Sequence, residues 1–76
     1  MVKLGKYKHY NGNFYEVIGE AIHSETHEEM VIYKALYENV ELGKNAVFVR
    51  PKKMFIEEVD INGKKVSRFE FAGNKV

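Results

Sequence analysis

The sequence predicts an all-β fold, and two observations support this class. Asparagine and glycine clusters at residues 11–13 and 62–63 mark tight turns that divide the chain into short segments. Around each turn, strand pairing places apolar residues opposite apolar residues and acids opposite bases. The 76 residues suffice for one domain and not two, so we expect a single domain over residues 1–76.

The first hairpin turns at Asn11-Gly12-Asn13. A two-residue loop would set Tyr7 opposite Glu16, an aromatic side chain against a charge. A three-residue loop gathers apolar groups on one face and opposite charges on the other, so we predict that register. The predicted pairs are Tyr7 with Val17, His9 with Tyr15, and Lys8 with Glu16.

The second strand is expected to run to about His23, and the segment after it is open to two interpretations. The strand would place alternate residues, Tyr15, Val17, Gly19, Ala21 and His23, on one face. Beyond it, Thr26 and Glu29 match a helix capping box, and Ile32, Tyr33, Leu36 and Val40 fit one helical face. Residues 30–37 are also nearly continuously apolar and rich in strand-forming residues, and composition does not decide between the two.

The last third of the chain contains a strand, a break and a second hairpin. Val47-Phe48-Val49 indicates a short strand, which Pro51 stops or bends because proline has no amide donor. We expect Met54 and Phe55 after it to fill the core, together with Tyr33, Tyr37, Phe69 and Phe71. Asn62-Gly63 is typical of a type I′ turn. The pairs it predicts are Val59 with Val66, Asp60 with Lys65, Glu57 with Arg68, and Ile56 with Phe69.

Several of these segments, taken in order, resemble a small bacterial family known only as a domain of unknown function, DUF1653. The resemblance covers most of the chain. The segments that carry it are Gly5-Lys6-Tyr7-Lys8-His9-Tyr10, Tyr15-Glu16-Val17, His23-Ser24-Glu25-Thr26, residues 31–37, Arg50-Pro51, Met54-Phe55 and Arg68-Phe69.

The resemblance implies a small SH3-like β-barrel of about five strands, with a strand at residues 30–37 and a short helical turn after Arg50. It implies no activity. The chain departs from the family pattern at residues 38–45, a longer and more polar connection, at Phe48, where tryptophan is common, and at His27, a position that is not usually histidine.

Composition excludes several classes of function. The chain has no cysteine, which rules out disulfides, thiolate zinc sites and cysteine nucleophiles and favours a reducing cytoplasm. Twelve basic and 11 acidic residues give a net charge of +1, so no overall charge draws the protein to nucleic acid or to a membrane. No phosphate-binding glycine loop or nucleophile elbow is present, and we expect neither a cofactor nor a membrane partner.

The stretch from His23 to His27 has three interpretations. In an extended chain His23, Glu25 and His27 point to one side and could ligate a metal, which would make a small metal-dependent enzyme. Ser24 beside His23 suggests nucleophile chemistry, but adjacent strand residues point to opposite sides. The third interpretation is a turn in which Ser24, Thr26 and Glu25 bond nearby backbone amides.

We expect a non-enzymatic binding or accessory module whose ligand is a protein or a small anion. The resemblance suggests a contact surface formed by His23, Ser24, Glu25, Thr26, Arg50 and Arg68. Arg50 would hold a carboxylate or another anion through its planar guanidinium. His9 is expected at the edge of the core, where a partly exposed imidazole titrates near neutrality.

A basic rim supports a rival function, the binding of single-stranded nucleic acid. Lysines and arginines beside exposed tyrosines suit such a ligand, although nearby acids also neutralise the charge. The rim residues are Lys6, Lys8, Arg50, Lys52, Lys53, Lys64, Lys65 and Arg68.

Overall fold

An antiparallel sheet of five strands organises the computed structural model, which describes residues 2–73. Two small ribbons and one short helix accompany this sheet in that range. The elements are β1 (Gly5–His9), β2 (Phe14–Ile22), β3 (Glu29–Ala35), β4 (Glu38–Asn39), β5 (Gly43–Lys44), β6 (Val47–Pro51), α1 (Lys52–Phe55), β7 (Glu58–Ile61), β8 (Lys64–Ser67) and β9 (Phe69–Gly73).

The five-stranded sheet has the order β6-β3-β2-β1-β9. The all-β class and the helical turn after Arg50 are therefore confirmed. Strands β6 and β9 do not pair with each other in the described chain, so the sheet is open where a closed barrel would be continuous. A side-chain contact nevertheless joins these two edge strands: the guanidinium of Arg50 in β6 lies over the ring of Phe69 in β9.

The first hairpin turns one residue earlier in the chain than the sequence predicted, at residues 10–12. Tyr7 pairs with Tyr15, and Gly5 with Val17, so the predicted register is wrong by two residues. The turn closes at His9, whose amide donates to the Asn13 carbonyl at 2.8 Å. A shift of two residues keeps the same side chains on the same face, which explains why the predicted apolar face is nevertheless buried.

An irregularity in β2 interrupts its predicted face. The pairing with β3 shifts between Val17 and Gly19, and Glu20 then lies opposite Val31. A bulge of this kind reverses the alternation of side chains beyond it. The prediction of one continuous face is therefore wrong after Val17, and His23 lies just outside the strand, which ends at Ile22.

The ambiguous middle of the chain forms a strand. In β3, Val31, Tyr33 and Ala35 are buried in strict alternation, the pattern of a strand with one face on the core. The helical alternative is wrong, because the side chains that this segment buries in the core are every second residue, as in a strand. The short strand predicted at Val47-Phe48-Val49 is confirmed as part of β6.

The ribbon of β7 and β8 has the predicted register. Asn62 and Gly63 have positive φ angles of 51° and 83°, as a type I′ turn requires. Val59 pairs with Val66 and Asp60 with Lys65, as predicted. The prediction that Ile56 pairs with Phe69 is wrong: Ile56 is 62% exposed, and Phe69 pairs with His9 in the main sheet.

The core lies between the inner face of the sheet and α1. Phe55, which is 2% exposed, fills it as predicted, whereas Met54 is 45% exposed and the prediction for that residue is wrong. Three further aromatic residues, Tyr37, Phe48 and Phe71, pack against the buried set. The buried hydrophobic residues are Val2, Tyr7, Tyr15, Val17, Val31, Tyr33, Ala35, Phe55 and Phe69. No helix in residues 2–73 is long and apolar enough to cross a membrane.

Candidate functional site

Phe69 forms the floor of the candidate site. Its ring stacks on Phe55 with centroids 4.3 Å apart, and the edge of His9 approaches to 4.8 Å. Tyr15 and Tyr33 pack against the same ring at 5.6 and 5.4 Å. These contacts leave Phe69 7% exposed and fix its position.

Arg50 lies over this floor. Side chains alternate along β6, so Val47 and Val49 are exposed while Phe48 and Arg50 are half-buried. The Arg50 guanidinium carbon is 5.4 Å from the centroid of Phe69, a cation–π contact. Within residues 2–73 this guanidinium makes no hydrogen bond and no ion pair. Five N–H donors are therefore held in place without an acceptor from the described chain.

Arg68 brings a second guanidinium to the same region. Its carbonyl accepts the Tyr10 amide at 3.0 Å, which ties it to the end of β1. One terminal nitrogen donates to Glu57 Oε1 at 2.7 Å. Its Nε atom is buried and has no hydrogen-bond partner in the described chain. Arg68 is thus half satisfied, since the outer end of its guanidinium is paired and the inner N–H is not.

His9 lies beside both arginines and is 9% exposed. The Asn11 amide donates to His9 Nδ1 at 3.2 Å, so in the neutral ring the proton is on Nε2. Burial lowers the pKa of His9, the Asn11 side chain acts in the opposite direction, and the charges of Arg50 and Arg68 lower the pKa further. We call the group of His9, Arg50 and Arg68 the arginine cleft: Arg50 and His9 both contact Phe69, and Arg68 precedes Phe69 in the chain.

Two tyrosine hydroxyls flank the arginine cleft. Tyr15 and Tyr37 share a hydrogen bond of 2.8 Å between their hydroxyl oxygens. Burial and this hydrogen bond raise the pKa of Tyr15, while the charge of Arg50 acts in the opposite direction. The phenol is therefore neutral at physiological pH and provides no negative charge to neutralise Arg50.

The turn from His23 to Thr26 uses its polar groups locally. The amides of Glu25 and Thr26 donate to His23 Nδ1 at 3.2 and 3.3 Å. The Ser24 hydroxyl bonds the Glu25 carboxylate, and Thr26 Oγ1 accepts the Glu28 amide at 3.2 Å. All four residues from His23 to Thr26 are exposed.

The structure does not bring this turn together with the arginine cleft. The turn follows Ile22, at the far end of β2 from the hairpin that contains His9. No hydrogen bond or ion pair joins residues 23–26 to Arg50 or Arg68 in the described chain. Of the residues that sequence analysis singled out, Arg50 and Arg68 are the two whose charges act on His9.

The three candidate metal ligands are not arranged around a common point. His27 has a positive φ of 61°, which breaks the extended geometry that the hypothesis required. His23 Nδ1 already accepts two amides. Across residues 2–73, no group of three or more histidine, cysteine, aspartate or glutamate side chains is placed to hold a metal ion.

The predicted basic rim is interrupted by acids and aromatic rings. Lys52 lies between Glu20 and Glu29, at 3.5 and 3.6 Å, and Lys6 lies over the ring of Phe14 at 4.4 Å. Lys65 is opposite Asp60 in the ribbon. Arg50 differs from these lysines: it is half-buried and has no acidic partner within residues 2–73.

Sequence analysis did not include His9 among the site residues. One signal was available, since alternation places His9 on the same buried face as Tyr7 and Tyr15. A titratable ring in that position is a candidate for function. Its closeness to Arg50 and Arg68 was not accessible, because it depends on how far the sheet curls.

Comparisons with known proteins agree with this fold. A family model described as "Protein of unknown function (DUF1653)" matches residues 5–71. The crystal structure of a DUF1653 protein from Bordetella bronchiseptica is similar, with a TM-score of 0.85 and 32% sequence identity. That likeness covers 96% of this chain and 90% of the other. A comparison with curated proteins finds no match. The chain therefore belongs to the DUF1653 family.

Proposed function

We propose that the protein is a non-enzymatic binding module that holds an anionic group, best a carboxylate, of a protein or small-molecule ligand in the arginine cleft. The observation that carries this proposal is the state of Arg50. Its guanidinium is held over Phe69 and makes no hydrogen bond or ion pair within residues 2–73. An arginine fixed in this way is ready to receive a planar acceptor.

The chemistry of the cleft favours an acceptor. Arg50 and Arg68 carry only donors, and the neutral His9 ring has its one N–H at Nε2. The buried Nε of Arg68 lacks a partner in the described chain, and leaving a buried donor unpaired costs about 1–3 kcal/mol. A bound anion would remove part of that cost.

The proposal is one of binding, because the two guanidiniums offer hydrogen-bond donors and positive charge to a ligand. The exposed turn from His23 to Thr26 would be a second contact for a large partner. The cysteine-free composition supports placing the module in a bacterial cytoplasm.

Replacement of Arg50 tests the proposal. Sodium acetate and sodium sulfate serve as planar and tetrahedral probes, against sodium chloride at equal ionic strength, with amide chemical shifts as the readout. We expect saturable shifts at His9, Arg50 and Phe69, and about tenfold weaker binding in Arg50→Gln because a charge-assisted bond is lost.

Lys53→Gln is the matched control, since Lys53 is an exposed cation three residues along the chain. It should bind both probes like the wild type. Shifts that fail to saturate, or equal losses in the two variants, would contradict the proposal. Tighter binding of acetate than of sulfate would identify a carboxylate as the ligand group.

A further inference from the structure

The histidine in the arginine cleft is placed to control the charge of the site. His9 is 9% exposed and has its ring edge against Phe69, the ring that also lies under Arg50. A proton on this imidazole would add a third positive charge to a cleft that already holds two. Repulsion from two guanidiniums opposes that charge, and an anion between them would relieve the repulsion.

We propose that anion binding in the arginine cleft is coupled to protonation of His9, so that the cleft binds anions more tightly in mildly acidic solution. The coupling rests on the proposed function, because it needs an anion in the cleft. It goes further by naming the residue that regulates the site.

The surroundings of His9 provide a place for the extra proton. In the neutral ring Nδ1 accepts the Asn11 amide, so uptake of a proton at Nδ1 replaces that acceptor with a donor. The Asn11 side chain favours the charged ring and lies in the same turn. The amide that loses its acceptor belongs to the turn at residues 10–13, which lies outside β1 and β2.

The charged and titratable groups around His9 come from several elements. Arg50 and Arg68 act on it with positive charge, and guanidiniums in general stay protonated over the accessible pH range. Lys8 and Glu70 line the same cavity as His9, and Glu57 is paired with Arg68. The rings of Tyr10 and Tyr15 pack on His9 at 4.5 and 6.2 Å. No carboxylate hydrogen-bonds or ion-pairs with His9 in residues 2–73, and the His9→Gln variant separates the contribution of His9 from that of Glu57 and Glu70.

Coupling between a proton and an anion is reciprocal. If protonation of His9 strengthens anion binding by a given factor, the anion strengthens proton binding by the same factor. Sulfate is the sharper probe here, because it is fully ionised from pH 5 to pH 7.5 and its own charge does not change. Phosphate would confuse the measurement, since its second ionisation falls between pH 5 and pH 7.5.

The experiment compares sulfate binding at pH 5 and pH 7.5, at constant ionic strength, in three proteins. We expect the wild type to bind about fivefold or more tightly at pH 5, the lower end of the usual range of coupling between sites. His9→Gln should show nearly equal binding at both values. The variant His27→Gln should keep the wild-type ratio, because that histidine is exposed and lies outside the proposed contact residues.

A second measurement covers the case in which His9→Gln does not fold. The ring resonances of His9 in the wild type are titrated with and without sulfate, and sulfate should move the midpoint to higher pH. Equal binding at both pH values, or an unchanged midpoint, overturns the coupling and leaves the anion site intact. No sulfate binding at either pH overturns the coupling, and the absence of both sulfate and acetate binding overturns the proposed function as well.

Discussion

Phe55 and Phe69 stack face to face, with ring centroids 4.3 Å apart and ring planes inclined by only 7°. Phe55 comes from α1 and Phe69 from the edge strand β9, so this pair joins the helix to the sheet. The same Phe69 ring lies under the guanidinium of Arg50, one of the residues of the arginine cleft. Packing of the core and geometry of the candidate site therefore depend on one aromatic side chain.

The first prediction concerns this stack. Phe55→Ala should lower the free energy of unfolding by about 3–5 kcal/mol, because it empties a fully buried aromatic site. Met54→Ala, at the exposed neighbouring position, should change it by less than about 0.5 kcal/mol. Urea denaturation measures both variants. Similar losses of stability at the two positions would contradict the prediction, because they would show that Met54 is packed as closely as Phe55.

The second prediction concerns the pH dependence of stability. Burial lowers the pKa of His9 below 6.5, so the unfolded chain takes up a proton at a higher pH than the folded chain. The wild type should therefore lose stability as pH falls through 6.5 towards the folded pKa. His9→Gln should have a flatter curve in that window, measured by urea denaturation in the absence of binding anions. A curve as steep as that of the wild type would show that His9 is not the group responsible, and His27→Gln is the exposed control.

The third prediction concerns the two hydroxyls beside the arginine cleft. Tyr37→Phe removes the partner of Tyr15 and should cost about 1 kcal/mol of stability. Tyr15→Phe should cost a similar amount for the same reason. The double variant should cost less than the sum, with a coupling of about 0.5–1 kcal/mol in a double-mutant cycle. Strictly additive losses would mean that the two hydroxyls do not depend on each other.

The fourth prediction concerns the turn of the β7–β8 ribbon. Gly63 has a φ of 83°, and a Cβ there would meet no atom within 4 Å, so Gly63→Ala costs backbone strain alone, about 1–2 kcal/mol. The ribbon pairs only with itself in the described chain, so the loss should be local. Hydrogen exchange should show reduced protection in β7 and β8 with β1 to β3 unchanged.

Gly19→Ala provides the control for that experiment. A Cβ at Gly19 would also meet nothing within 4 Å, but its φ lies outside the positive range, so the substitution should be neutral or slightly stabilising. Loss of protection throughout the main sheet in Gly63→Ala would show that the ribbon and the sheet unfold together.

The sequence predicted local features better than long-range ones. The Asn62-Gly63 turn determines its own register, because a two-residue type I′ loop leaves no freedom in the pairing that follows. The asparagines and glycine at residues 11–13 allow a three-residue loop at either of two positions, and the register there was missed by two residues. The bulge after Val17 was missed because Ile18-Gly19 also suits an ordinary strand.

The candidate site depends on long-range geometry and was only partly predictable. Arg50 and Arg68 were singled out through the family resemblance, and their proximity to His9 follows from the curl of the sheet, which no local pattern encodes. The turn from His23 to Thr26 was expected to be polar and it is. Hydroxyl and carboxylate side chains next to each other readily bond their own backbone, which is the local interpretation of that stretch.

The pairing of β1 with β9 has a consequence for how the molecule is made. Lys6 lies opposite Gly73 and His9 opposite Phe69, so this strand pairing joins residues about sixty positions apart in the chain. Closing so long a loop is slow compared with forming a hairpin. On the ribosome, the hairpins nearer the start can form early, but the aromatic interior stays unfinished until Phe69 has left the exit tunnel. Until then the unpaired side of β1 is exposed to other chains.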